Sequence, residues 1–160
     1  MAENTLFVKM VTDGWHAQIK ATNTLLDKLS DEQLLHEIAP GRNRGIYLLG
    51  HLTAVHDLML PLLRFREPLF AELKPIFIDA PDKAVADIPS VSQLREQWRT
   101  VNDQLKEHIS ALSPDEWFTR HANVSEEDFV KEPHRNRLNV LMGRTNHLSS
   151  HRGQMVLLTR

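Results

Sequence analysis

The stretch VSQLREQWRTVNDQLKEHISAL, residues 91–112, decides the fold class because its apolar residues recur at alternating spacings of three and four. The apolar positions of this stretch are Val91, Leu94, Trp98, Val101, Leu105, Ile109 and Leu112. Such a seam is typical of a helix that packs lengthwise against other helices. Ser90 and Gln93 form a capping-box pattern at its start. The sequence therefore predicts a long amphipathic helix over this stretch.

Three further segments carry helical periodicity, and they cover residues 5–28, 46–64 and 138–160. Capping patterns at residues 30–33 and 113–116 predict single helical turns between the long helices. Signals for strands are weak, since the apolar run at residues 76–78 is too short to form a sheet. The pattern indicates an all-α protein.

The connection between the second and third predicted helices is long and rich in proline. Residues 65–89 contain Pro68, Pro75, Pro81 and Pro89, which exclude one continuous helix there. Long ordered connections in a compact domain tend to cover or form a functional site. We therefore expect a four-helix bundle with a long crossover between helices 2 and 3, in which residues 1–160 form a single domain.

Charge and composition exclude several classes of function. The net charge is −2, whereas a nucleic-acid binder would show a basic face, so no nucleic-acid partner is expected. No apolar run approaches the roughly 20 residues that span a bilayer, and the first residues lack the features of a secretory signal. A cytoplasmic protein without a membrane partner is the expectation. Cysteine is absent, so a metal site would use histidine, carboxylate or water.

Nine histidines are an unusual number for this length and direct attention to their positions. His147 and His151 are four residues apart on the last predicted helix, so both imidazoles lie on one face and can point at one ion. A third ligand has to come from a facing helix, and the second helix offers His51 or His56. These two positions are roughly 140° apart around a helix, and the periodicity alone does not choose between them.

The residues Gly50-His51-Leu52 and the later segment HLSSHRGQ, residues 147–154, resemble the DinB/YfiT-like family. The resemblance extends over essentially the whole chain, through the four helices and the long crossover. In that family one upstream histidine and two histidines of the last helix bind a divalent metal. The resemblance carries this role over to His51, His147 and His151, and it leaves His56 to packing or to support of the site.

Three neutral imidazoles would leave a divalent ion its full charge and an open position, as in catalytic rather than structural sites. Zinc, nickel, iron, manganese or cobalt could serve, with zinc or nickel favoured. The resemblance implies a small-molecule substrate and an enzyme of one of two types. One is a thiol transferase of the bacillithiol or glutathione-S-transferase-like type, since relatives include a mycothiol-dependent maleylpyruvate isomerase. The other is a hydrolase.

The alternative is a non-catalytic metal-binding protein that acts in a stress response or as a sensor. It predicts a closed coordination shell, with His56 or a carboxylate as the fourth ligand, and no pocket. The enzyme predicts an open position that faces a pocket. A homodimer fits both, because related proteins often dimerise.

Two polar residues near the predicted ligands are candidates for catalysis. Arg144 lies one turn before His147 and could present its charge to an anionic substrate. Gln154 lies three residues after His151 and could orient that ligand or bond to a metal-bound water.

Other residues near the motifs are predicted to be structural. Helix packing is expected for Gly50, Gly143 and Gly153, and Asp57 is expected to be an ordinary surface carboxylate. The residues expected in the core or at its edge are Trp15, Trp98 and Trp117, and those expected on surface loops are His121 and His134.

Overall fold

A computed structural model of the chain describes residues 2–159. The four long helices are α1 (Ala2–Lys28), α3 (Gly45–Asp57), α6 (Val91–Ala111) and α8 (Arg137–Met155). The short helices are α2 (Asp31–Leu35), α4 (Met59–Leu62), α5 (Leu73–Phe77) and α7 (Glu126–Lys131), with 3-10 turns at Glu116–Phe118 and Val156–Thr159. No β-strand occurs in residues 2–159, which confirms the predicted all-α bundle. None of the helices in this range is both long and apolar enough to cross a bilayer.

Capping boxes form at two of the three predicted positions, whereas at the third the hydroxyl of Ser113 donates to the Glu116 carboxylate instead of capping the backbone. Ser90 accepts a hydrogen bond from the backbone N–H of Gln93, whose side-chain oxygen accepts one from the backbone N–H of Ser90. Ser30 and Gln33 make the same reciprocal pair at the start of α2. These bonds satisfy backbone donors that have no partner within the helix, so they define where α2 and α6 begin.

The second helix is shorter than the predicted range of residues 46–64. The helical run is interrupted after Asp57, because Pro61 has no N–H to donate to the carbonyl oxygen of Asp57. Arg64 then adopts a left-handed backbone conformation with a φ of 61°, so the helix cannot continue. The fourth helix changes to a 3-10 turn after Met155, and its predicted end at residue 160 lies outside the described residues.

The helix α3 lies at the centre of the packing. It packs against α6, α8 and the short α5, while α1 packs against α8. Trp15, Trp98 and Trp117 are buried, as predicted. This arrangement places one face of α3 directly against α8, which is where the predicted metal ligands of the two helices meet.

Polar contacts near both ends of the crossover between α3 and α6 hold it against α3. Asp57 is 1% exposed, and its carboxylate accepts hydrogen bonds from the backbone N–H groups of Leu69 and Phe70 at 2.8 and 2.9 Å. The prediction of a surface carboxylate is therefore wrong. At the other end, Arg44 forms an ion pair with Asp82 at 2.7 Å. These contacts hold the crossover, including α5, against the helix that carries His51.

Only one of the three helical glycines near the motifs has the predicted packing role. A Cβ atom on Gly50 would overlap the ring of Phe77, so α5 can approach α3 this closely only at a glycine. At Gly143 and Gly153 a Cβ atom would meet nothing within 4 Å, and both residues are exposed. The prediction of helix packing is wrong for these two positions.

Candidate metal centre

The three predicted ligands converge at the seam between α3 and α8. The Nε2 atom of His147 lies 3.2 Å from Nε2 of His51 and 3.1 Å from Nε2 of His151. All three ligand atoms lie within 4.8 Å of one another. Two nitrogen ligands at about 2.0–2.1 Å from one zinc ion, at an angle of about 100°, are separated by about 3.1–3.2 Å. The spacing therefore fits a shared ion.

The outer nitrogen atoms of two of these rings are held by acceptors. Nδ1 of His51 lies 2.8 Å from the backbone carbonyl oxygen of Phe77, and Nδ1 of His151 lies 2.9 Å from the side-chain oxygen of Gln154. Because an oxygen acceptor requires a proton on Nδ1, each neutral ring carries its lone pair on Nε2. Outer hydrogen bonds of this kind orient histidine ligands toward a metal. Both rings therefore present an unprotonated nitrogen atom to the centre.

The third ring shows why this cluster suits a cation. A neutral imidazole has one N–H, so Nε2 of His147 can donate to at most one of the two lone pairs that face it. Its Nδ1 is buried and has no hydrogen-bond partner among residues 2–159. An ion at the centre would accept all three Nε2 lone pairs at once. The donor set therefore fits a divalent metal held by His51, His147 and His151.

Burial keeps these rings in the form that binds metals. Desolvation lowers the pKa of His147 to about 4, with smaller contributions from the charges of His151, His51 and Arg144. Desolvation is also the main cause that lowers the pKa of His51, although its bond to the Phe77 carbonyl opposes the shift. Both imidazoles are thus neutral near pH 7, and metal binding does not have to displace a proton from them.

His56 does not belong to this group. Its ring is fully buried, and its Nδ1 atom lies 2.8 Å from the side-chain oxygen of Asn102. The rings of Trp15 and Trp98 lie beside it, with centroids 4.9 and 4.8 Å away. Burial lowers the pKa of His56 to about 3, so the ring is neutral. His56 packs between α1 and α6 and is not turned toward the seam between α3 and α8.

Arg144 lies close enough to the cluster for its charge to affect the pKa values of two of the histidines. Its positive charge lowers the pKa of both His51 and His147. The side chain is half-buried, and the guanidinium has neither a hydrogen bond nor an ion pair within the described part of the chain. An unpaired, partly desolvated cation attracts an anion more strongly than one in bulk water. This makes Arg144 a candidate for contact with a negatively charged group.

The sequence did not indicate two structural features, one at the ligand group and one beside His56. The carbonyl of Phe77 is a backbone group on the crossover, and no side-chain motif marks it. Asn102 is buried on α6, where the polar side chain interrupts an otherwise apolar face, and that interruption was the available signal. His121 and His134 lie outside the ligand group, on the connection before α8.

The fold and the three converging rings define a helical-bundle protein with a candidate metal centre. The sequence model of the DinB superfamily matches residues 15–155, so the chain belongs to the DinB superfamily. This confirms the family resemblance predicted from the histidine motifs.

The solved structures that resemble the chain include the crystal structure of a conserved protein from Enterococcus faecalis. The TM-score is 0.65 and the identity 14%, and the similarity covers 95% of this chain and 94% of that one. At this identity the likeness shows the fold alone. No curated protein matches the chain.

Proposed function

We propose that the chain is a metal-dependent enzyme that acts on a small molecule, either by transferring a thiol or by hydrolysis. The observation that carries the proposal is the convergence of three Nε2 atoms, two of them on rings whose outer nitrogen is held by an acceptor. Three neutral ligands leave an ion with its full charge and with room for water or substrate. When bound, such an ion supplies Lewis-acid chemistry that lowers the pKa of a water or a thiol.

The chain's own residues have separate tasks in this proposal. His51, His147 and His151 hold the ion, and Gln154 keeps His151 in the tautomer that binds it. Arg144 offers its unpaired charge to an anionic group of the substrate, which restricts how the substrate enters. Because each of the three histidines is only half-buried, small molecules can reach the centre from solvent.

Metal analysis tests the ligand assignment. The purified protein, incubated with zinc or nickel and then desalted, is expected to retain one ion per chain by inductively coupled plasma mass spectrometry. His147→Ala should retain far less metal, since two imidazoles alone form a weak site. His36→Ala changes an exposed histidine outside the ligand group and serves as the matched control. Equal metal content in His147→Ala and His36→Ala would exclude the site.

Assays of the metal-loaded protein test the reaction. Thiol transfer is measured with bacillithiol, mycothiol or glutathione and an activated aryl chloride, and hydrolysis with small carboxylate esters. Turnover that requires the metal and is absent in His147→Ala would support the enzyme. A protein that binds metal but turns over none of these substrates would contradict it.

A non-catalytic metal-binding protein is the second candidate, and one observation favours it. A cavity of about 600 Å³ lies between α1 and α6, but none of the three histidines lines it, so this cavity does not give a substrate access to the metal centre. The observation against it is that no carboxylate or fourth histidine joins the group in residues 2–159, so the shell is not closed by protein ligands. The reaction assays decide between the two candidates.

A further inference from the structure

The cavity between α1 and α6 has the size of a ligand-binding pocket. Its volume is about 600 Å³, and every residue that lines it belongs to one of these two helices. Pockets that bind small molecules typically measure about 300–1,000 Å³. We call this cavity the α1–α6 groove. It has no lining residue in common with the histidine cluster.

Side-chain bonds across the helices fix one end of the groove. The indole N–H of Trp98 donates to the side-chain oxygen of Asn23 at 2.8 Å. One turn further, the guanidinium of Arg95 donates to the carbonyl oxygens of Leu26 and Leu29 at 2.8 and 2.6 Å. These bonds set the spacing of α1 and α6 without any ligand. The groove is therefore preformed, which reduces the ordering cost of binding.

The floor of the groove is largely apolar, and the amide of Asn102 is hydrogen-bonded within the protein. Trp15 and Trp98 lie beneath it, and Ile19 is half-buried in its wall. Asn102 also lines the groove, but its amide oxygen faces His56 and its amide nitrogen donates to the carbonyl oxygen of Trp98. The floor thus offers a ligand mainly apolar contact.

Positive charge predominates around the groove, although the chain as a whole carries a net charge of −2. The charged residues of the lining are Lys20, Asp27, Arg95, Arg99, Asp103 and Lys106. Arg95 is paired with Asp31 at 2.9 Å. Lys20 and Lys106 lie on opposite helices, and neither has an ion pair among the described residues. Their charges are available to an anion.

The rim does not fit a large apolar partner. None of the exposed large apolar side chains of residues 3–159 belongs to the lining, whereas the centre of a protein interface needs such residues. We propose that the α1–α6 groove binds a small organic anion with an apolar body, and that the acidic group of this anion lies between Lys20 and Lys106.

The anionic probe 8-anilinonaphthalene-1-sulfonate tests the proposal with the intact protein. The double variant K20E/K106E should bind the probe at least about tenfold more weakly, because two charge-assisted contacts become repulsive. The control K28E/K131E has the same net charge and changes lysines outside the groove, so its affinity should match that of the wild type. The uncharged analogue N-phenyl-1-naphthylamine should bind the wild type more weakly than the sulfonate.

The three tryptophans report where the probe binds. In ¹⁵N–¹H spectra the indole signals of Trp15 and Trp98 should shift on titration, while that of Trp117, which does not line the groove, should stay in place. Equal affinity in both charge variants, or a shift confined to Trp117, would overturn the proposal. The proposal would also be overturned if the probe bound only after a dimer had been diluted into monomers, because a second copy of the chain would then occupy the groove.

Discussion

Nδ1 of His51 lies 2.8 Å from the backbone carbonyl oxygen of Phe77, 26 residues along the chain. This bond ties a candidate metal ligand on α3 to the crossover, and it forms because α5 packs closely on α3. The close approach depends on the missing side chain of Gly50, which precedes the histidine in the sequence. The packing of the crossover and the tautomer of His51 are thus connected.

Replacing Gly50 by alanine should weaken both packing and metal binding. The new Cβ atom would overlap the ring of Phe77, which is fully buried, and overpacking of this kind costs about 1–3 kcal/mol. The shifted carbonyl should also lower the affinity for zinc. Urea unfolding and zinc titration measure the two effects. Gly14→Ala is the control, since its Cβ atom meets nothing and should stabilise an exposed helix by up to about 1 kcal/mol. Similar behaviour of the two variants would disprove the connection.

Gln154→Leu should reduce zinc affinity by about 10–100-fold, the usual effect of losing an outer partner of a histidine ligand. Without the side-chain oxygen, His151 has no acceptor for its Nδ1 proton and can adopt the wrong tautomer. Gln154→Glu keeps an acceptor at this position and should retain most of the affinity. Competition with a zinc chelator gives the two constants, and an unchanged affinity in Gln154→Leu would exclude the orienting role.

Arg144→Gln should raise KM for an anionic substrate while leaving metal content unchanged. A lost charge-assisted contact costs about 1.5–3 kcal/mol, so kcat/KM should fall by roughly 10–150-fold. Arg144→Lys should restore part of the loss, and Arg42→Gln, at an exposed position, should change nothing. A fall of the same size for a neutral substrate would argue against recognition of charge.

The stability of the metal-free protein should decrease as the pH falls below 6.5, and His56 should contribute to the decrease. Burial lowers its pKa to about 3, whereas the unfolded chain binds this proton near pH 6.5. Its contribution is therefore complete above pH 6.5 and is lost progressively toward pH 3, with about 2 kcal/mol lost by pH 5.

Denaturant titrations at pH 7.5 and pH 5.0 measure the difference for each variant. His56→Gln should show a smaller loss between the two pH values than the wild type. His36→Gln should behave like the wild type, because His36 is exposed. If His56→Gln retained the full pH dependence, another group would have to account for it.

The long helices could be predicted because their signals are local. The seam of α6 and the capping boxes at Ser30 and Ser90 lie within a few residues of the boundaries that they define. The roles of Asp57 and Gly50 could not be predicted in the same way. Asp57 accepts from backbone groups 12 and 13 residues further along, and Gly50 meets a ring 27 positions away. Such partners are known only once the crossover has been placed.

The ligands of the candidate site could likewise be predicted only in part from local spacing. Helical spacing brought His147 and His151 together, but it allowed His51 and His56 equally. The resemblance selected His51, and the structure gives the physical reason. Residue 51 faces α8, while residue 56 is turned toward Trp15 and Trp98 of the other two long helices.

His51 and His147 are separated by 96 residues, so an ion shared between them would act as a reversible cross-link between distant parts of the chain. A ligand that binds only the folded state stabilises it by about 4 kcal/mol when its concentration is 1,000 times its dissociation constant. The unfolding temperature would then depend on metal supply as well as on the core. Depletion of the ion would shorten the lifetime of the folded protein in addition to stopping any reaction at the site.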